Sequence, residues 1–461
     1  MIEILNKRGY TSKHFDNGDG TFTMRTSIAP LHYKVGASFE NINTALEDMG
    51  DHWRMVKSNY NIRIYKNFSA NQLIRFDNFM DGANHSIVLD PKLLSWINVN
   101  DPTDVVPFRT DQPVTGTLIN NVVTYKNAFG SGLDFEITLT ATGFRKEIVI
   151  NNKSDLVAPP SNNHRLALLS KYTGTNLTVK KTATNLAWNE NSYLEGDEFT
   201  INQANGKKTS IVPAIMEDGS IERRRQLIKL FWIKRNNALW QAKVLSNSFL
   251  NNGTYPLRAD TLFDTYSTTN SKQVTNDNIG GTYNSAATAT TGDAVYTLNT
   301  GGPHNVLHDT KSGSVWYIRR ADLHFDTSSI GSGNTVSAAS LTMYSAAAGG
   351  ANTNGYTIHL LDNTNNSNLS ATLATEDFND FHTNASTQSI GSTTFSAYLN
   401  KNANVTTNLT SYAAISLTGT TRIGLRSANE MLEQHDGSAS DPTGSNILRI
   451  ATNLDLPYMD I

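Results

Sequence analysis

Residues 133–150, LDFEITLTATGFRKEIVI, alternate apolar and polar side chains with a period of two on both sides of TATG. That period belongs to a pleated strand, whose successive side chains point to opposite faces, and it conflicts with the 3.6-residue repeat of a helix. Leu133, Phe135, Ile137 and Leu139 share one face, as do Phe144, Lys146, Ile148 and Ile150 with one charged exception. The segment therefore predicts an antiparallel hairpin with one buried side. Glu136 and Glu147 fall on the alternate positions and are expected to be ordinary solvent-facing acids.

The same pattern recurs. HRLALLSKY and NLTVKKTATNLAW read as strands, and 223–250 supplies strands over 227–233 and 239–245 about a turn at Asn236 and Asn237. Asn17, Gly18, Asp19 and Gly20 read as a turn, because glycines stand where a calcium loop needs side-chain oxygens. Only NINTALEDMGDHWRMV (41–56) and PKLLSWIN (91–98) suggest helix, both short. Charged residues make up 17% of the 461, below the roughly 25% of average soluble domains, and Thr, Ser, Asn and Gly take their place. Thr tolerates extended backbone while Asn and Gly accept turns, so the composition agrees with the pattern.

From about residue 260 the text changes to Thr, Asn, Ser, Gly and Ala, and after 300 strand-like runs return, among them SVWYIRRADLHFD, GYTIHLLD, TRIGLRSA and NILRIATN. The expectation is an all-β chain of two β-sandwich or jelly-roll domains in tandem, 1–260 and 261–461. Before residue 251 there are 29 Lys/Arg against 24 Asp/Glu, and from 251 onward 9 against 17, so the halves carry +5 and −8. The overall charge of −3 gives no field that would gather nucleic acid. The three arginines 223–225 read as solvated residues at a strand entrance. With no cysteine, disulfides, Cys-ligated zinc and thiol catalysis are excluded. No apolar run is long enough for a membrane span, and the opening residues lack the features of an export signal.

Catalytic motifs are missing from the text: no HExxH, no G-x-S-x-G elbow and no P-loop, so neither metal nor cofactor is expected. His304 and His308 are four apart but follow Gly-Gly-Pro, without a helix to align them. Two binding features remain. Trp316 and Tyr317 precede Arg319 and Arg320, and a ring beside a guanidinium suits a pyranose or uronate, whereas the alternative is a tryptophan closing the core with arginines at its edge. Glu430, Glu433, His435 and Asp436 share a loop that can hold calcium, bond sugar hydroxyls or simply be hydrated. The candidate ligand-binding residues are thus Trp316, Tyr317, Arg320, Glu430, His435 and Asp436, with no catalytic residue and no metal ligand.

The segment RRADLHFDTSSIGSGNTVSAASLTMY resembles the repeat named for its DNRLRE signature, through Arg320, Leu323, Phe325, Asp326, Ser329, Ile330, Val336, Ala339, Leu341 and Tyr344. Ser427 with Glu430, and Leu448 with Ile450, match that family's closing segment. The first half, through SKHFDNGDGTFTMRTSIAPLHYKVG, YKNAFGSGLDFEITLTATGFRKEIVI and FLNNGTYPLRADT, is similar to a β-rich module of bacterial surface, RHS-type and phage structural proteins. The resemblances imply β-sandwiches on extracellular or virion structures, and for the second half a carbohydrate-binding-like jelly roll. Together with the missing export signal they imply a non-enzymatic phage virion protein, a tail, baseplate or capsid-attached fibre component. Its partners would be other virion proteins and a host surface glycan, with no nucleic acid, and it would be oligomeric in the assembled particle. The alternatives are an extracellular polysaccharide depolymerase or lyase, with Arg320, Tyr317 and His324 as its groups, and a secreted bacterial surface adhesin at the cell surface.

Overall fold

The computed structural model describes residues 1–78, 86–174, 177–181, 184–187, 189–196, 199–202, 208–211, 214–220, 225–264, 271–279, 283–287, 289–298, 303–312, 315–345, 357–381, 389–394, 403–427, 446–451 and 457–461. Among them the fold is almost entirely antiparallel β-sheet. Among the described residues helix is limited to Asn247–Asn252, Tyr283–Ala287 and four short 3-10 turns. No helix of the described residues is long and apolar enough to cross a membrane.

The chain divides into two compact units, Asn41–Ser267 and a second made of Met1–Glu40 with Thr268–Ile461. This division differs from the expected one at 1–260 and 261–461, because residues 1–40 group with 268–461. The strand Phe22–Ser27 pairs with Tyr458–Asp460 at the other end of the chain, and Met24 and Ile461 exchange backbone bonds of 2.8 and 2.9 Å. Met24 is buried, and the Thr26 hydroxyl donates to the Asp326 carbonyl at 2.8 Å. Apolar alternation fixes the face of such a strand, whereas its partner is chosen by tertiary packing.

In the unit 41–267 the predicted hairpin is present as Leu133–Leu139 and Gly143–Ile150, with Leu133 opposite Ile150 and Leu139 opposite Phe144. It belongs to an 11-stranded sheet, and a separate 10-stranded sheet runs through Tyr60–Tyr65, Ser86–Asn98, His164–Gly174, Leu230–Arg235 and Ala238–Val244. Leu133, Phe135, Ile137, Phe144 and Ile148 of the first sheet and Ile62, Phe76, Leu166, Leu168 and Trp232 of the second share one core. Each such side chain contributes about 1.5–3 kcal/mol on leaving water. Strand His164–Gly174 is apolar on both sides, since Ala167 and Leu169 join Phe231, Ile233 and Ala242 in a core on the other face of the sheet. Asn236 and Asn237 form the expected turn, with φ of 51° and 53°.

Both helix expectations fail. PKLLSWIN lies inside the strand Ser86–Asn98, where Leu94 and Trp96 pair with Leu168 and Leu166. Residues 41–56 contain the strands Glu47–Asp48 and His52–Met55. Local helical spacing is outweighed in both places by a long strand partner that buries the same apolar side chains. The turn at 17–20 is as expected: Gly18 and Gly20 have φ of 83° and 88°, and the Asp16 and Asp19 carboxylates accept from the amides of Gly18 and Thr21.

The other unit is built on a 14-stranded sheet. Its central strand, Val315–Asp326, pairs with Lys272–Ile279, Pro303–Ser312 and Thr420–Ser427. Ala321, Leu323 and Phe325 face a core shared with Leu341, Met343, Ile423, Leu425 and Met459. Ile318 faces a second core with Phe378 and Phe381. His304 and His308 lie on a strand, not a helix.

Candidate functional site

Strand Val315–Asp326 is covered on both faces, and this decides the fate of Arg320. The helix Tyr283–Ala287 and the turn Thr375–Asp380 supply the residues packed over it. The fully buried guanidinium gives Nη2 to the Ala287 carbonyl at 2.6 Å and Nη1 to the Phe378 carbonyl, and lies 3.9 Å from the centre of the Phe378 ring. Its donors serve helix and turn ends that would otherwise be orphaned. The expectation that Arg320 meets a ligand is therefore corrected: the group is an internal tie. Trp316 and Tyr317 stand opposite Asn278 and Asp277 in the backbone register, and their side chains lie outside the described residues. Glu430, Glu433, His435 and Asp436 lie wholly outside them.

The neighbouring Asp322 is fully buried, with Arg422 Nη2 at 2.6 Å, His324 Nε2 at 2.6 Å and Asn363 Nδ2 at 3.0 Å. Burial alone would raise its pKa, but the His324 hydrogen bond and the His324 and Arg422 charges outweigh it and hold the carboxyl below its usual range. His324 is thus bound to Asp322 as Arg320 is to backbone carbonyls.

The charged exception of the hairpin is also internal. Lys146 is fully buried, its Nζ donating to Gln241 Oε1 at 2.6 Å and 5.4 Å from the Tyr172 ring centre. Lys243 is equally buried and gives Nζ to the carbonyls of Lys146 and Ala259, both at 2.9 Å. Burial pushes the Lys146 ammonium well below its ordinary range. It likewise pushes Lys243 down to about 7, against the pull of Asp260 and Glu147.

On the other face of this sheet Glu136, Glu147 and Asp260 stand in register on three adjacent strands. Like charges directly opposite repel. Arg145 relieves them through Asp260 at 2.8 Å and Glu147 at 3.0 Å, and Arg258 through Glu136 at 2.5 Å and Glu147 at 3.6 Å. The expected solvent-facing role is corrected, because Glu147 is buried and Glu136 half-buried within an ion-pair row. Among the described residues no group of three His, Cys, Asp or Glu side chains could hold a metal ion.

The arrangement best suited to bind something is one the sequence did not single out. In the unit containing 1–40, the strands Ser12–Asp16, Phe22–Ser27, Tyr458–Asp460, Ser340–Ser345 and Ala403–Asn408 lie side by side. Met24, Leu341, Met343 and Met459 point into the core, so the alternate positions form the outer face. That face carries Lys13, Phe15, Thr23, Arg25, Tyr458, Asp460, Ser340, Thr342, Tyr344, Asn404, Thr406 and Asn408 in register across the strands.

Arg25 is its fixed centre. Asp460 holds it through two bonds of 2.8 and 2.9 Å, and the guanidinium lies 4.1 Å from the Tyr458 ring centre and 5.9 Å from that of Phe15. A planar fork clamped in this way is pre-organised, so less side-chain entropy is lost when a ligand arrives. Asn404, Thr406 and Asn408 are exposed, and a groove of about 300 Å³ lined by Thr23, Ser340, Asn408, Tyr412 and Asp460 indents the same face. Hydroxyls, amides, a clamped ion pair and ring edges on one sheet face match the alternating hydroxyls and C–H surfaces of a sugar. The alternation in SKHFD and TFTMRT places Lys13, Phe15, Thr23 and Arg25 on one face, but only the pairing with the chain end brings Tyr458 and Asp460 to them.

No protein-family model matches the sequence. No curated protein matches it either. Among solved structures, the protein Slr1438 from Synechocystis sp. PCC 6803 aligns with 50% of this chain and 99% of its own at 10% identity, with a TM-score of 0.22. A likeness at that level carries neither a fold nor a function.

Proposed function

We propose that the chain is a non-enzymatic structural protein of a phage virion, a tail, baseplate or capsid-attached fibre component, that binds a surface glycan. The outer sheet face around Arg25 carries the binding part of this reading. It combines a clamped guanidinium, two flanking rings and a field of hydroxyls and amides, with the charges of Arg25 and Asp460 offsetting each other and Lys13 adding one positive group. The two units are read as β-sandwich domains, the one that includes 1–40 and 268–461 being a jelly roll of the DNRLRE type. The commitment of Arg320, Asp322, His324 and Arg422 to buried ties supports a scaffold in place of a reactive centre. Other virion proteins would be the remaining partners, with the chain oligomeric in the particle.

A glycan array probed with the full chain tests the binding role. Binding is expected, and Tyr458→Ala or Phe15→Ala should weaken it at least tenfold, about 1.4 kcal/mol, while circular dichroism stays unchanged. Silence against every glycan would defeat the binding role, and absence of immunogold label from purified particles would defeat the virion assignment.

A further inference from the structure

The groove beside Arg25 opens at the end of three neighbouring strands. Arg25, Asp460, Ser340 and Asn408 stand in one row across Phe22–Ser27, Tyr458–Asp460, Ser340–Ser345 and Ala403–Asn408. At that row Tyr458–Asp460 and Ala403–Asn408 end and Ser340–Ser345 begins. Past it the backbone amides of Ile461 and Leu409 donate to the carbonyls of Met24 and Ala339 at 2.9 and 2.8 Å.

Successive residues of a strand face opposite sides. Ser340, Asn408 and Asp460 therefore carry the outer face, while Ala339 and Leu409 point into the core and Ile461 packs against it. At the strand ends the two sets meet around a groove of about 300 Å³, at the lower limit of the roughly 300–1,000 Å³ typical of small-ligand sites. Thr23 closes one side, its hydroxyl paired with the Asn17 carboxamide at 3.2 and 3.3 Å. Exposed Ala338 forms the lip, and half-buried Tyr412 flanks the floor.

The polar edge of the groove is open to a ligand. The exposed Asn408 carboxamide and the Ser340 hydroxyl have no hydrogen-bond partner among the described residues. Each Asp460 oxygen accepts one bond from Arg25, and a carboxylate offers about four acceptor sites, so about two remain. An apolar floor beside a free carboxamide and a carboxylate suits a short substituent that carries a methyl, a carbonyl acceptor and an N–H donor. Hydroxyls alone would leave the floor without an apolar partner. We propose that the groove takes the acetamido group of an N-acetylated amino sugar, an inference that rests on the glycan-binding reading of the face around Arg25. The Asn408 carboxamide donates to the acetyl carbonyl, Asp460 accepts the acetamido N–H, and Ala339, Leu409 and Ile461 cover the methyl.

Isothermal titration of the full chain with oligomers of N-acetylglucosamine, glucose, N-acetylgalactosamine, galactose and rhamnose, matched in length, tests this. In the gluco pair, the galacto pair or both, the N-acetylated oligomer should bind at least tenfold tighter than its parent hexose, and tighter than the methyl-bearing rhamnose. Ala338→Trp, which fills the groove from its lip, and Asn408→Ala should each remove that preference while circular dichroism stays unchanged. Parent hexoses or rhamnose that bind as tightly as the N-acetylated oligomers overturn the inference and leave the glycan-binding reading standing. A preference that survives both substitutions overturns it as well, because the acetamido group is then held elsewhere. Binding of none of the five defeats the reading of the Arg25 face and this inference with it.

Discussion

Lys243 makes the stability of its unit depend on pH in a direction opposite to that of a surface lysine. Its folded pKa is about 7, against about 10.4 for an ordinary lysine. Between these values the unfolded chain binds a proton that the folded chain does not, so unfolding becomes harder as pH rises. Integrating one group with these two constants from pH 7 to pH 9 gives a gain of about 2 kcal/mol. Lys146, shifted the same way by burial, adds to it. The range should stop near pH 9, because unfolded tyrosines then begin to ionise while buried Tyr125 and Tyr172 resist.

Urea unfolding followed by tryptophan fluorescence is the assay. Five of the six tryptophans, Trp53, Trp96, Trp188, Trp232 and Trp240, belong to residues 41–267, so the signal reports this unit. Lys243→Met leaves the carbonyls of Lys146 and Ala259 without their side-chain donor and should destabilise the unit by about 1–3 kcal/mol for each group left unsatisfied. It should also flatten the pH slope, widening the gap to the natural chain by about 2 kcal/mol from pH 7 to pH 9. The gap widens toward pH 9, where neutralising the natural lysine on folding costs about 2 kcal/mol less than at pH 7. Parallel pH profiles for the two proteins would refute the reasoning, whatever their absolute stabilities.

Two further substitutions probe the buried ties of the other unit. Asp322→Asn leaves the partly buried Arg422 beside a neutral amide and should cost about 3 kcal/mol by calorimetry near neutral pH. Because the folded pKa of Asp322 is depressed, that contribution is present above the ordinary carboxyl range and lost as pH falls through the folded value, so the two proteins should converge in acid. A constant difference down to pH 2 would count against the ion-pair account. Gly424→Ala would place a methyl 2.6 Å from Asn363 Nδ2, forcing off a side chain that donates to Asp322. A lowered urea midpoint, by about 1–3 kcal/mol of stability, is expected, and an unchanged one would mean that Asn363 moves freely.

What the sequence determined by itself was the class of structure and the faces of its best strands. Alternation at 133–150 predicted the hairpin and its buried side, and Asn236–Asn237 and Asn17–Gly20 announced their turns through residues that accept positive φ. These are local properties, written into side-chain period and backbone preference. Tertiary structure decided what each face met. Lys146 and Glu147 looked like tolerated charges on a pleat, and their burial beside Gln241 and Arg258 came from strands far along the chain. PKLLSWIN has helical spacing in isolation and became strand because 164–174 covers it. Arg320 resembled a ligand group until two distant carbonyls claimed it. The candidate face around Arg25 needed residues from the two ends of the chain, and no periodicity records which strand will become a neighbour.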